Sequence, residues 1–244
     1  MGYRSLLGTE YCTIAPDLPS HGKTPEPPGV SADNVVSCLA EGVVALAERE
    51  GREVHLVGHS FGAVVALASV LLRPDRFASL TLVEPVCFDA LRLAGRFDLF
   101  ATARDEAVAL AALVAAGETE RAIRLLLQQW GFGFWDVLSE RQRHALVRAA
   151  PAIIGYGLLA AVRWPVSRET LRTVHVPTLL VYGDEGPEAC APIAKLLARE
   201  IPGAHAVCVQ GAGHMLPITD RDRFAEIVRG HLSHVGERRV RHVG

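Results

Sequence analysis

A serine between two glycines, Gly58-His59-Ser60-Phe61-Gly62, separates an apolar β-like run (Val54-His55-Leu56-Val57) from an Ala/Val-rich helical run reaching Leu72. This context puts Ser60 on a sharp strand-to-helix turn. Such a turn brings backbone segments together and strains the residue between them, so a Cβ at either glycine is expected to clash. It also lifts the hydroxyl out of the top of a sheet. The first free N–H groups of the helix, with their partial positive charge, then face whatever binds there. A bare G-x-S-x-G is common by chance. Flanked in this way it marks Ser60 as a candidate nucleophile, against the simpler reading of a serine that caps the next helix.

Around that turn the pattern alternates. Strands are expected at 11–15, 54–57, 79–83, 178–182 and 205–209, and helices at about 31–50 (capped by Ser31), 62–72, 188–200 and 220–232. Short apolar strands alternating with helices indicate an α/β fold with a doubly wound, mostly parallel sheet covered on both faces. Between residues 88 and 172 the strand signal vanishes and helical patterns take over at about 102–116, 119–130, 139–149 and 152–162. The expected organisation is a core built from 1–87 and 173–235, a helical cap inserted at 88–172, and a basic, disordered tail at 236–244.

Composition narrows the function. With 244 residues and 50% hydrophobic content the chain can build one large core. The net charge of −2, with no basic run interleaved with aromatics, argues against a nucleic-acid partner. The polar stretch from Met1 to Gly8 does not read as a signal peptide, and Leu6 stands where myristoylation needs Ser or Thr. No apolar stretch reaches the roughly 18 residues of a membrane span. Residues 149–162 come closest and are broken by Pro151, Gly155 and Gly157. Five scattered cysteines without metal-type spacing read as small core hydrophobes and suggest a reducing, cytoplasmic setting. Neither a metal nor an organic cofactor is implied, and the expected partner is a small-molecule substrate.

Four segments, in order, carry a family likeness: Ile14 to Thr24 (IAPDLPSHGKT), Val54 to Gly62 (VHLVGHSFG), Val176 to Gly183 (VPTLLVYG), and Ile201 to Ala204 (IPGA) followed by Gly211-Ala212-Gly213-His214. Together they resemble the α/β-hydrolase superfamily over nearly the whole chain. The resemblance implies a nucleophilic mechanism in which Ser60 attacks an electrophilic carbon and His214 takes its proton and later returns it. His214 stands out among ten histidines because Gly211 and Gly213 free its loop to reach the elbow. His59 reads as structural, and His21 as a loop residue without a chemical role. A serine nucleophile argues against halide displacement through an aspartyl ester.

The third member departs from the pattern. Many members carry an aspartate three residues after the glycine that closes the seventh strand, and here that position is Gly186. Two substitutes remain open. Glu84, directly after the sixth strand, stands where some members hold their acid and is favoured; Asp184 is the alternative. A carboxylate ending a buried strand is costly without a partner, and an imidazolium would supply one. A structural pairing of Glu84 with Arg92 competes with this.

The resemblance also implies three further strands ahead of Ile14, the third ending in a His-Gly loop that donates the second oxyanion N–H. Phe61 N–H supplies the first. The expectation is that upstream in-frame sequence encodes such a strand, and that without it an interior strand edge lies unpaired. The leading function is a serine hydrolase of a small, apolar ester, amide or C–C substrate. Trp130, Phe132, Phe134, Trp135, Ile153, Ile154, Tyr156 and Leu158 are candidates for its pocket. The competing function is a slow or non-catalytic ligand-binding homologue.

Overall fold

A computed structural model describes residues 11–19, 21–130 and 135–242, with 237–242 as backbone only. Four parallel strands form one sheet in the order β1 (Val54–His59), β2 (Phe77–Val83), β3 (Thr178–Gly183) and β4 (His205–Val209). The connections are helical: α1 (Val35–Arg49) precedes β1, and α2 (Phe61–Leu72) joins β1 to β2. Between β2 and β3 run α3 (Asp89–Leu93), α4 (Phe97–Ala115), α5 (Thr119–Gln129), α6 (Glu140–Ala150), a π-helical segment (Pro151–Leu158), α7 (Leu159–Arg163) and α8 (Arg168–Arg172). Then α9 (Cys190–Glu200) joins β3 to β4, and α10 (Leu216–Thr219) and α11 (Arg221–His242) end the chain.

Strand periodicity explains the layering. Successive side chains of a strand point to opposite faces. Accordingly Leu80, Leu82 and Leu180 join a core with α1, α2 and α9, while Val83, Leu179 and Val181 join a second core beneath α11 with Phe224, Val228 and Leu232. A third cluster lies inside the helical insertion, where Leu110, Ala122, Ile123, Leu126, Ala150 and Ile154 bury one another.

Three expectations need correction. Residues 11–15 form no strand: the Tyr11 ring meets His55 of β1 edge-on at 6.0 Å, but the segment joins no ladder. The physical reason is the lack of a partner. A strand needs a neighbour to receive its backbone hydrogen bonds; residues 11–15 have none among those described, and β1 is left as an edge strand. Val57 on that edge strand is 39% exposed, whereas every residue of β2 is buried. The last helix does not stop near 232 but runs to His242, so the part of the tail expected to be disordered is helical as far as that residue. Finally, Asn34 rather than Ser31 holds the N-cap position of α1.

The insertion also differs in detail. Pro151 lacks the N–H an α-helix would use, and the chain passes through the π-helical turn instead of breaking. The helical run Glu140–Arg163 is thereby continuous, and it contains an 18-residue window, at a mean hydropathy of 1.7, long and apolar enough by composition to cross a membrane. Of its apolar residues, Ala150, Ile154, Ala160 and Ala161 are buried within the fold.

Candidate active site

Every residue singled out for chemistry emerges at the C-terminal end of the strands. Ser60 follows β1 with φ 56°, and Glu84 follows β2 with φ 47°; they are the two non-glycine residues with left-handed backbone among those described. Such conformations cost on the order of 1–3 kcal/mol and persist where surroundings enforce them, commonly at functional sites. The enforcement is visible. Ser60 N–H donates to Val83 O (2.9 Å), and Glu84 N–H donates to Val181 O (2.8 Å), so the parallel ladder continues into both turns.

Gly58 behaves as expected: a Cβ there would strike the backbone of Gly62 and Ala63. Gly62 does not, since a Cβ at that position meets nothing outside its own helix within 4 Å. The close approach is made by the strand side of the turn alone.

The His214 loop closes over these two turns. His214 Nε2 lies 2.9 Å from Ser60 Oγ, and His214 Nδ1 lies 3.0 Å from Glu84 Oε2. A carboxylate only accepts, so Nδ1–H donates to Glu84 and leaves Nε2 of the neutral ring as acceptor for the serine O–H. The other Glu84 oxygen, Oε1, accepts Gly183 N–H at 2.7 Å. Glu84 is fully buried, and these bonds supply what its desolvation requires. Arg92 plays no part, being paired with Asp89 at 3.5 Å.

Asp184, the alternative acid, accepts Gly211 N–H at 2.6 Å and so braces the loop that carries His214 rather than the ring. Gly186 explains the vacancy at the usual position. A Cβ there would lie 2.9 Å from Glu84 Oε2, so the carboxylate reaching in from β2 occupies the space a larger residue would need.

Two neighbours hold the histidine from other sides. His59 Nε2–H donates to the His214 carbonyl at 2.8 Å. Burial, and next the nearby His214, lower the His59 pKa to about 4, which keeps its ring neutral beside the His214 imidazole. Trp130, at the end of α5, meets the His214 ring edge-on at 4.8 Å and Phe88 at 6.0 Å. His21 bonds locally, through Nδ1 to Pro19 O at 3.0 Å.

Among the described pocket candidates, Trp130 packs its ring against the histidine. Trp135 lies in the insertion between Arg124 and Arg143, Ile154 is buried inside the insertion, and Tyr156 donates to Glu26 at 3.1 Å. Phe132 and Phe134 lie outside the described residues. Phe61, the residue after the serine, stands at the first turn of α2, whose N–H groups have no partner within their own helix. One contact escaped the sequence reading. Cys190 Sγ lies 3.8 Å from His214 Nδ1, and nothing in its spacing distinguished it from a core cysteine.

The profile of the alpha/beta hydrolase family matches residues 2–227, and the chain belongs to that family. A pimeloyl-(acyl-carrier protein) methyl ester esterase of Aeromonas salmonicida is 30% identical over 243 residues, covering 93% of this chain and 87% of its own. A putative carbamate hydrolase, RutD of Pseudomonas syringae, is 26% identical over 94% of this chain and 86% of its own. Among solved structures, a hydrolase from Pseudomonas aeruginosa superposes with a TM-score of 0.68 at 26% identity, over 88% of this chain and 77% of that one. MenH from S. aureus shares the fold, with a TM-score of 0.67 at 19% identity over 90% and 82% of the two chains.

Proposed function

We propose that this protein is a serine hydrolase that cleaves a small, apolar ester, amide or C–C substrate through an acyl-enzyme, with Ser60 as nucleophile, His214 as general base and acid, and Glu84 as the orienting carboxylate. The observation that supports this best is the unbroken line of hydrogen bonds from Ser60 Oγ through both ring nitrogens of His214 to Glu84. In the first half-reaction Ser60 Oγ attacks the carbonyl carbon while His214 Nε2 takes the hydroxyl proton. Glu84 stabilises the imidazolium that forms, and Phe61 N–H donates to the developing oxyanion. His214 then protonates the leaving group. Water repeats the sequence to release the acid.

The esterase among the relatives favours an ester as the first substrate to try. Trp130, packed against the histidine, would form an apolar wall of the acyl or leaving-group side. The five free cysteines accord with a cytoplasmic setting.

The test is covalent. Incubated with a fluorophosphonate, the wild-type chain should label stoichiometrically and Ser60→Ala not at all. Absence of label on the folded wild type would overturn the hydrolase reading in favour of a binding homologue.

A further inference from the structure

Next to the Glu84–His214 pair sits a group that serine chemistry does not use. Cys190, the first residue of α9, is fully buried, and its thiol lies against the Glu84–His214 pair. Glu84 Oε2, Cys190 Sγ and His214 Nδ1 therefore face one another: oxygen and nitrogen are 3.0 Å apart, sulfur and nitrogen 3.8 Å, and all three ligand atoms fall within 4.8 Å. Zinc bonds of about 2.0–2.3 Å at tetrahedral angles place N and O about 3.3 Å apart and N and S about 3.6 Å apart. The observed N–O and N–S separations of 3.0 and 3.8 Å differ from these by only about 0.3 Å, and sulfur and oxygen lie within 4.8 Å of each other.

We propose that Glu84, Cys190 and His214 form an inhibitory site for Zn²⁺ or a similar thiophilic divalent cation, which switches the hydrolase off at its histidine. The inference rests on His214 being the base for Ser60. Coordination breaks the Cys190 S–H bond and sends that proton to solvent. The thiolate and the Glu84 carboxylate then balance the two charges of the cation, and the buried cluster carries none.

The decisive step is at the ring. To give its lone pair to the metal, Nδ1 loses its proton, and the neutral imidazole carries the proton on Nε2 instead. That N–H faces Ser60 Oγ across 2.9 Å and donates where catalysis needs an acceptor. Ser60 keeps its proton, and no acyl transfer begins. No electron changes hands, so removal of the ion restores the original tautomer. An oxidative switch at Cys190 is a poorer fit: burial and then Glu84 raise its pKa well above the usual thiol range, and oxidants attack the thiolate.

The experiment titrates ZnCl₂ into EDTA-stripped full-length protein with two readouts. Calorimetry counts bound zinc whether or not the enzyme turns over. The wild type should bind one ion at a site weakened about tenfold or more in both Cys190→Ala and Cys190→Ser. Ester turnover in the same titration should fall to background in the wild type and return with EDTA. Each Cys190 variant, compared with its own zinc-free rate, should resist. Cys12→Ala and Cys208→Ala should respond as the wild type does, and circular dichroism melts identify which Cys190 variant is folded for the comparison. Undiminished zinc binding in a folded Cys190 variant overturns the proposal, as does zinc bound at this site with turnover unchanged. If no protein hydrolyses an ester, the functional reading fails by itself, and calorimetry still decides the site: loss with Cys190 supports it, retention refutes it.

Discussion

Two carboxylates leave the sheet at the same end, on neighbouring strands, and they do different work. Glu84 follows β2, is fully buried and meets the His214 ring; Asp184 follows β3, is exposed and holds the backbone of Gly211. The two groups have the same chemistry, so the strand each one ends must make the difference. β2 lies between β1 and β3, and its register with β1 pairs His59 with Val83, which sets Glu84 directly beside the elbow. Asp184 starts one strand further from the elbow. It can reach the histidine loop at its base but leaves the ring to Glu84. One carboxylate bonds the imidazole; the other bonds the backbone of the loop that carries it.

The sharpest way to break this division is Glu84→Gln, which preserves shape but removes the charge that stabilises the imidazolium. Ester kcat should fall by about 10⁴-fold with KM little changed. A variant that keeps full activity would remove Glu84 from the mechanism. Gly186→Ala probes the same carboxylate by crowding, because the new methyl would stand 2.9 Å from Oε2. Displacing Glu84 by a fraction of an ångström should lower kcat by about 10- to 100-fold, while a melting curve near that of the wild type separates misalignment from unfolding.

The loop supports are tested through pH and then by mutation. His59, the second brace of the His214 backbone, has its pKa lowered from 6.5 to about 4 by burial. Its neutral form is the one the fold prefers. The associated stability is therefore complete above about pH 6.5 and declines as pH falls toward about 4, by on the order of 3 kcal/mol at most. Denaturation midpoints measured from pH 7.5 to 4 should show this decline, and His59→Gln, which retains an N–H donor without titrating, should remove its share and leave that of His231, whose pKa burial likewise lowers to about 4. Asp184→Asn carries the smallest expectation: its Oδ1 can still accept Gly211 N–H, so turnover should stay within about tenfold of the wild type. A fall as deep as that of Glu84→Gln would erase the distinction between the two carboxylates.

Much of this was legible from local pattern. The glycines, the apolar strand and the helix around Ser60 are all neighbours in sequence, and the same holds for the glycines around His214. The helical insertion announced itself by the loss of strand periodicity. Legibility ended where partners are distant. Residues 11–15 have the composition of a strand, yet a strand exists only with a neighbour to bond. Gly62 looked as constrained as Gly58 because spacing cannot tell which side of a turn is crowded. Cys190 was indistinguishable from a core cysteine, since its meaning comes from Glu84 and His214, both far away along the chain.

Sequence alone determined the layered α/β class, the tight turn that presents Ser60, and the loop that brings in His214, because each depends on propensities and periodicities within a few residues. Tertiary structure decided which carboxylate serves the histidine, why Gly186 must stay small, and which cysteine lies against the ring. Those outcomes follow from strand order and register, which bring Glu84 and His214, 130 positions apart, into hydrogen-bond range and set Cys190 beside them. No local pattern encodes a contact between groups that only the closed sheet makes neighbours.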